Sequence, residues 1–376
     1  MEFTLSVRNF RGLRRVEWSP SGVCALVGPN GSGKTTLIDV LQLMRDTYGS
    51  GFTKALELHG GAYGLRYFSA PRDEPVAFNI RVGSASWLFQ PELILGPGGA
   101  RVPILEQLVD DQHLLFKREF EDPAEGRSPT QLLGDRLLLQ GIRFPSQVSE
   151  SAWNLVWLVS NYRHYRHYAL QALRREGSPL GGDLVLQEDG RNLFAVLMNW
   201  RNRRDYLERW TFVMDHLRAC FPELLAEFSF PIAANIVSCE VHPPRGGTLT
   251  PALLPDGFLV ALLHLCAVAS TDANCALAID EVENALHPYA IRRLVDAFRE
   301  WSDAHGVIVL LATHSPVLLD TFKALPEKVF VMEPGREVLP VTLDSLKKRS
   351  WLAHFSLGDL YEHLKYGAPA TEEEEA

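Results

Sequence analysis

Residues 28–35 read Gly28-Pro29-Asn30-Gly31-Ser32-Gly33-Lys34-Thr35, with Thr36 next. An apolar run, GVCALV, precedes them at 22–27, and an amphipathic stretch follows from about 34 to 47. The GxxxxGK[ST] spacing, set between a buried strand and a helix, is the feature that most limits the fold: it demands an α/β architecture. Glycines let the backbone curl so that its N–H groups face inward, and the helix N-terminus adds partial positive charge. Such a turn holds phosphate. Lys34 is expected to reach the β- and γ-phosphates, Thr35 to place its hydroxyl on Mg²⁺, and Thr36 to support the α-phosphate.

Two downstream segments supply groups that complete such a site. Residues 276–281 read ALAIDE, an apolar strand ending in two acids. Ligands bind at the carboxyl ends of strands in open α/β sheets, so Asp280 is placed to hold Mg²⁺ through water. Glu281 is placed to orient and polarise an attacking water. Residues 307–315 read VIVLLATHS, which sets His314 at the end of another buried strand. An imidazole there can hydrogen-bond a γ-phosphate or the attacking water. Glu283 has two readings, an aid to Mg²⁺ or water placement and a cap for the helix that starts near Pro288.

From 251 the pattern runs loop, helix (257–269), strand (276–280), helix (288–304), strand (307–312), helix (316–322) and strand (328–333). That alternation implies a parallel sheet. Residues 2–8 alternate as a half-buried strand does, and 76–82, 86–95 and 113–120 read as strands of an antiparallel lobe. Segments 129–140, 149–175, 191–200 and 204–220 read as helices, and 228–241 as extended. The expected organisation is an N-terminal part of a nucleotide-binding head with a β-rich lobe (1–127), a helical insertion (128–250), the C-terminal part of the head (251–340), and a terminal helix with a disordered acidic tail (341–376).

Composition narrows the function classes. Net charge is −9, four charges of which lie in the run EEEE at 372–375, so a generally basic nucleic-acid binder is excluded while a local basic patch is not. That run is read as a solubilising tail. The five cysteines, Cys24, Cys220, Cys239, Cys266 and Cys275, show no CxxC spacing, which argues against a zinc site or a disulfide framework and fits a reducing compartment. The N-terminal residues lack the apolar core of a signal peptide. The run 258–269, broken by His264, is too short to span a bilayer. The expectation is a cytoplasmic protein without a membrane segment.

Taken together, the three motifs resemble ABC-type ATPase heads of the SMC, RecF and OLD branch. The segment Asn9-Phe10-Arg11-Gly12-Leu13 is similar to the NFR stretch that precedes the P-loop strand there. Residues 280–288, DEVENALHP, are similar to the DEPENGLHP stretch of a group of bacterial predicted ATPases (AAA_21-like), as are Gly190-Arg191-Asn192-Leu193 and Phe355-Ser356-Leu357-Gly358-Asp359-Leu360. The resemblance covers about 1–50 and 250–335. It implies ATP and Mg²⁺ as ligands, Arg11 as part of the nucleotide site, and a homodimer that sandwiches ATP between two heads. The wide gap between Lys34 and Asp280 is explained by insertions; lacking heptads, it implies a compact lobe with no long coiled coil.

The resemblance also implies a signature loop that caps the partner's nucleotide, with Leu254-Pro255-Asp256-Gly257 as the candidate. Asp256 and Gly257 are assigned to nucleotide binding through it. Pro255 stands where the family usually carries a serine whose hydroxyl contacts the γ-phosphate, which points to slow hydrolysis. Val282 replaces the usual proline, and His287 takes the position of the D-loop aspartate of transporters. Gln90 and Gln112 both stay open as the Q-loop glutamine. OLD nucleases append a TOPRIM domain, but between residue 333 and the EEEE run the chain carries no acidic cluster, with Asp344, Asp359 and Glu362 scattered, so any nuclease or other effector is expected on a separate protein. Roles in DNA repair or anti-phage defence follow by analogy; the other reading is a nucleotide-binding scaffold with negligible hydrolysis. The run 153–168 interleaves Trp153, Trp157, Tyr162, Tyr165 and Tyr168 with Arg163, His164, Arg166 and His167. It reads either as a nucleic-acid or partner contact, together with Arg203 and Arg204, or as a packed helical lobe with solvated arginines.

Overall fold

The computed structural model describes residues 2–61, 65–71, 74–91, 94–96, 99–101, 104–118, 137–333, 335–347, 352 and 356–363. The chain opens with two paired strands, β1 (Thr4–Phe10) and β2 (Leu13–Trp18), then the P-loop strand β3 (Val23–Val27) and helices α1 (Lys34–Ser50) and α2 (Phe52–Leu58). The β-rich lobe follows: β4 (Ala77–Val82), β5 (Ala85–Pro91), a short ribbon of β6 (Ile94–Gly96) and β7 (Gly99–Arg101), then β8 (Ile104–Asp110) and β9 (His113–Arg118). β1, β2, β4, β5, β8 and β9 form one antiparallel sheet in the order β2-β1-β4-β5-β8-β9. The helix predicted over 129–140 falls mostly outside the described residues; its described end holds a 3-10 turn at Leu138–Gly141. The acidic tail also lies outside them.

The middle of the chain departs from the prediction. A single helix was expected over 149–175. The structure instead shows α3 (Glu150–Asn161), the strand β10 (Arg163–Tyr165) and α4 (Leu170–Glu176). β10 joins the edge of the central sheet, parallel to β16 (Ala276–Asp280), pairing Arg163 with Leu277, His164 with Ala278 and Tyr165 with Ile279. Pairing with a distant strand overrides the local helical pattern, as strand preference depends on context. Next come β11 (Ser178–Pro179), α5 (Leu193–Asn202), α6 (Leu207–Cys220) and the short strands β12 (Glu227–Ser229), β13 (Ile232–Ala233), β14 (Ile236–Val237) and β15 (Glu240–His242). Gly190, before α5, packs so tightly that a Cβ would lie 2.5 Å from Leu263 Cδ2 and 3.2 Å from Tyr168 Cδ1. This close approach accounts for glycine in the Gly190-Arg191-Asn192 segment.

The remaining elements follow the predicted alternation: α7 (Asp256–Ser270), β16, α8 (Pro288–His305), β17 (Ile308–Ala312), α9 (Pro316–Asp320), β18 (Val329–Val331), β19 (Val341–Thr342), α10 (Leu343–Leu346) and α11 (Leu357–His363). The central sheet runs β10-β16-β17-β3-β18-β19, parallel except for β19. Its inner strands β16, β17, β3 and β18 are apolar on both faces because each face carries a core. Val23, Ala25 and Val27 enter one core with Leu277, Ile279, Val309 and Leu311; Cys24 and Leu26 enter the other with Ala278 and Leu310. Parallel sheets are buried in this way. The first core holds α5 to α9, so residues from Tyr165 onward share it with the C-terminal part of the head. The second holds α1 (Leu37, Leu41, Met44), α3 (Leu155, Val159) and the inner face of the antiparallel sheet (Leu5, Val7, Phe78, Trp87). Every residue of α7 from Phe258 to Ser270 is buried. At about 1.5–3 kcal/mol per fully buried large aliphatic or aromatic side chain, that fixes its position behind β16 firmly.

The longest helix among the described residues is α8, with 18 residues, and none of their helices is long and apolar enough to cross a membrane. All five cysteines are buried and free.

Candidate nucleotide site

β3 delivers the chain into the P-loop and α1 leaves it. Gly28, Gly31 and Gly33 have φ of 149°, 80° and 94°, and Gly33 is the N-cap of α1. At Gly28 a Cβ would lie 2.7 Å from the Met332 carbonyl oxygen and 2.9 Å from Met332 Cβ, so only glycine lets the turn pass beneath the end of β18. Lys34 is 9% exposed and donates from Nζ to the carbonyls of Gly28 (2.7 Å) and Pro29 (3.0 Å). Burial lowers its pKa, and Asp280, Glu281 and Glu283 oppose that. The ammonium thus rests on the loop that a phosphate would fill.

The fold brings the distant motifs to this loop. Thr35 Oγ1 donates to Asp280 Oδ2 at 3.3 Å across 245 positions of sequence. A cleft of about 260 Å³ is lined by Asn30, Gly31, Gly33, Lys34, Thr35 and Thr36 on one side, and by Asp280, Glu281, Thr313 and His314 on the other. The register explains this: β16, β17 and β3 are adjacent and parallel, so their C-terminal ends open on the same edge. Glu281 follows directly, in the left-handed region at φ 52°, with its N–H on the Ala312 carbonyl (3.0 Å) and its carboxylate accepting from Asn284 Nδ2 (2.6 Å). A non-glycine residue held there costs about 1–2 kcal/mol, a strain the neighbouring contacts must support.

Glu283 does not cap the helix that follows, one of the two readings weighed for it from sequence. It accepts from Thr313 Oγ1 and from the His314 N–H, both at 2.8 Å, and so fixes the backbone of the histidine loop. The helix that follows is capped by His287, whose Nδ1 accepts from the Tyr289 N–H at 3.2 Å. His314 itself sits near the Tyr361 hydroxyl, 3.0 Å from Nδ1, and that hydroxyl is also within reach of the Gly28 carbonyl at 3.4 Å.

The aromatic–basic run supplies the part that sequence reasoning missed. Tyr162 and Tyr165 are fully enclosed, so these two rings are unavailable for stacking on a base, while Trp153, Trp157 and Tyr168 are half-buried. β10 instead sets Arg166 and His167 in the cleft. His164 lies between two carboxylates, its Nδ1 3.5 Å from Asp39 Oδ1 and its Nε2 3.4 Å from Asp280 Oδ2. Burial would lower its pKa, but Asp280 and Asp39 outweigh that and raise it to about 9, so it is an imidazolium at neutral pH. Arg166 Nε is 3.7 Å from Asp280 Oδ2. Neither Gln90, in β5, nor Gln112, in the β8–β9 turn, lines the cleft. Three residues, Arg163-His164-Tyr165, are too few to mark β10 against the surrounding helical pattern.

Three residues assigned to the nucleotide from sequence stand apart from the cleft. Arg11, next to the cleft-lining Gly12, pairs with Asp39 (3.7 Å) and donates to the His59 carbonyl, at the far end of the Arg11–Asp39–His164–Asp280 chain of charges. Asp256 accepts from Arg174 Nη2 at 2.6 Å. Gly257 packs against the 281–287 loop, where a Cβ would lie 2.6 Å from the Ala285 carbonyl oxygen. Within the P-loop, the Ser32 hydroxyl is buried without a hydrogen-bond partner.

Comparison with known proteins bears on the fold and the family. The chain is similar in fold to an SMC head solved bound to the C-winged helix domain of ScpA, with TM-score 0.52 and 12% identity over 92% of this chain and 99% of that one. An SMC head domain from Thermotoga maritima gives TM-score 0.44 with 13% identity over 90% and 97% of the two chains. A Pyrococcus furiosus Smc head with an extended coiled coil, bound to the C-terminal domain of ScpA, gives 0.47 with 12% identity over 94% and 100%. The fold is that of an ABC-type ATPase head. No curated protein matches the sequence. The model of the AAA_21 family, described as "AAA domain, putative AbiEii toxin, Type IV TA system", matches residues 23–320, from the P-loop strand to the end of α9, and the chain belongs to that family of nucleotide-binding ATPases.

Proposed function

We propose that the protein is a slow ATP hydrolase that works as a dimeric switch, with ATP sandwiched between two heads. The observation that carries the reading is the meeting of Thr35 and Asp280 at 3.3 Å, with Lys34, Glu281 and His314 around the same cleft. A hydroxyl and a carboxylate are hard oxygen donors of the kind Mg²⁺ takes alongside phosphates and water. Thr35 and Asp280 would hold the ion, which supplies charge neutralisation on the phosphates. Lys34 leaves the Gly28 and Pro29 carbonyls for the phosphate oxygens. The glycine-shaped loop and the N-terminus of α1 present N–H groups to them. Glu281 accepts a proton from the attacking water or orients it, and His314 donates at the γ-phosphate side.

Asp256 and Gly257, at the start of α7, lie outside their own cleft, and a contact across a dimer uses residues so placed. Pro255 is the N-cap of α7 and offers no side-chain hydrogen bond, which supports slow turnover. It equally motivates a second reading, a scaffold that binds ATP with negligible hydrolysis and assembles an effector. The output is proposed to be a nucleic-acid-linked process, DNA repair or anti-phage defence, with the effector on a separate protein; the toxin–antitoxin wording of the family description is in keeping with such a role. The test is steady-state ATP hydrolysis by wild type and Glu281→Gln, with and without DNA, beside light scattering. Loss of about 10²-fold or more in turnover, with an ATP-dependent dimer trapped, is expected. Lys34→Ala is expected to weaken nucleotide binding. Turnover and association both unchanged in Glu281→Gln would refute the catalytic assignment, and ATP binding without turnover in wild type would favour the scaffold.

A further inference from the structure

Glu283 fixes the backbone at His314 but does not touch its ring. Among the described residues, the group hydrogen-bonded to that ring is the Tyr361 hydroxyl, 3.0 Å from Nδ1. The tyrosine comes from α11, 47 positions later, and the helix is well anchored. Asp320 Oδ1 accepts from Ser356 Oγ (2.7 Å) and from the Gly358 N–H (3.0 Å). Leu357 and Leu360 are buried in the first core. Gly358 lies so close to α9 that a Cβ there would be 2.7 Å from the Pro316 carbonyl oxygen. α9 begins two residues after His314, so the histidine and the tyrosine are mounted on one packed unit.

The phenol has a single proton and two acceptors in reach. The Gly28 carbonyl, 3.4 Å away, already accepts from Lys34 at 2.7 Å. The nearer and freer acceptor is His314 Nδ1. We propose that Tyr361 is a positioning residue for the hydrolysis: its hydroxyl donates to Nδ1 of His314, holds the imidazole in the Nε2–H tautomer, and leaves that N–H as the donor available to the cleft. Burial and the Lys34 ammonium hold the His314 pKa below its ordinary value, so the ring is neutral and has a tautomer to select. The Ser356-Leu357-Gly358 segment acquires a purpose from this: it docks the helix that carries the tyrosine.

The consequence for rate rests on the hydrolysis reading above; the consequence for the ring does not, and the experiment separates them. Two-bond ¹H–¹⁵N correlation of the nucleotide-free protein, with His314 assigned by its loss in His314→Gln, reads the tautomer directly. Wild type is expected to show Nε2–H alone, and Tyr361→Phe a mixture of both tautomers. In ATP hydrolysis Tyr361→Phe is expected to lower kcat about tenfold with KM for ATP within about twofold, the effect of one lost hydrogen bond on an otherwise intact site. Asp320→Ala, which undocks the helix from outside the cleft, is expected to change the ring and kcat in the same direction. An identical ring spectrum in wild type and Tyr361→Phe overturns the proposal, as does unchanged kcat in Tyr361→Phe when wild type turns over. A wild type without turnover whose ring still responds to Tyr361→Phe refutes the hydrolysis reading and leaves the tautomer assignment standing.

Discussion

His264 makes the protein's stability sensitive to acid in a way that can be worked out in advance. It sits in the middle of α7, 2% exposed, with Nδ1 3.0 Å from the Tyr168 hydroxyl. Burial lowers its pKa from 6.5 to about 4. The unfolded chain therefore binds a proton near pH 6.5 that the folded one refuses until about pH 4. The associated stability is intact above pH 6.5 and is lost as pH falls through that window. Linkage gives a loss of about 1.4 kcal/mol at pH 5.5, growing to about 3 kcal/mol below pH 4. The control is the double variant His264→Phe/Tyr168→Phe, which removes the titrating group and its side-chain partner together, so that neither side chain strands the other's polar atom. Urea midpoints of both proteins at pH 7.5 and 5.5 provide the assay. Wild type is expected to lose about 1.4 kcal/mol more than the double variant over that interval. If the two lose stability in parallel, His264 is not held neutral by burial and the argument fails. Function is exposed to the same event, because Tyr168 directly follows the cleft residues Arg166 and His167.

Two further outcomes follow from contacts around the cleft. Gly257→Ala places a methyl 2.6 Å from the Ala285 carbonyl oxygen and is expected to cost about 1–3 kcal/mol by urea denaturation, with reduced ATP turnover; an unchanged midpoint would show that the α7 start and the 281–287 loop do not pack as described. Glu283→Ala removes the acceptor of Thr313 Oγ1 and the His314 N–H and is expected to lower kcat while leaving Mg²⁺ dependence unchanged, whereas a shifted Mg²⁺ midpoint would return Glu283 to the metal.

Much of the chemistry was legible in the sequence because it is local. The P-loop needs only a strand, three glycines in positive-φ conformations and a helix N-terminus, all within 23–50, and each is written in adjacent residues. The apolar runs 276–280 and 307–312 became β16 and β17 because a strand buried on both faces has no polar alternation to misread. The acids and the histidine at their ends could be assigned to one site once a parallel sheet was inferred. What the tertiary structure alone decided is everything set by contact between distant segments. β10 was hidden in a helical pattern because three residues carry little local preference and its pairing partner lies more than a hundred positions away. Glu283 could not be told from a metal ligand or a cap, since all three uses need the same carboxylate and differ only in what stands opposite it. The chain of charges that links Arg11 through Asp39 and His164 to Asp280 could not be read from the sequence, since its members come from separate segments. Tyr361 reaches Gly28 across 333 positions, a distance no spacing rule spans. Sequence determines which groups are available and which turn holds phosphate; packing of the two cores against one sheet decides which of those groups face the cleft.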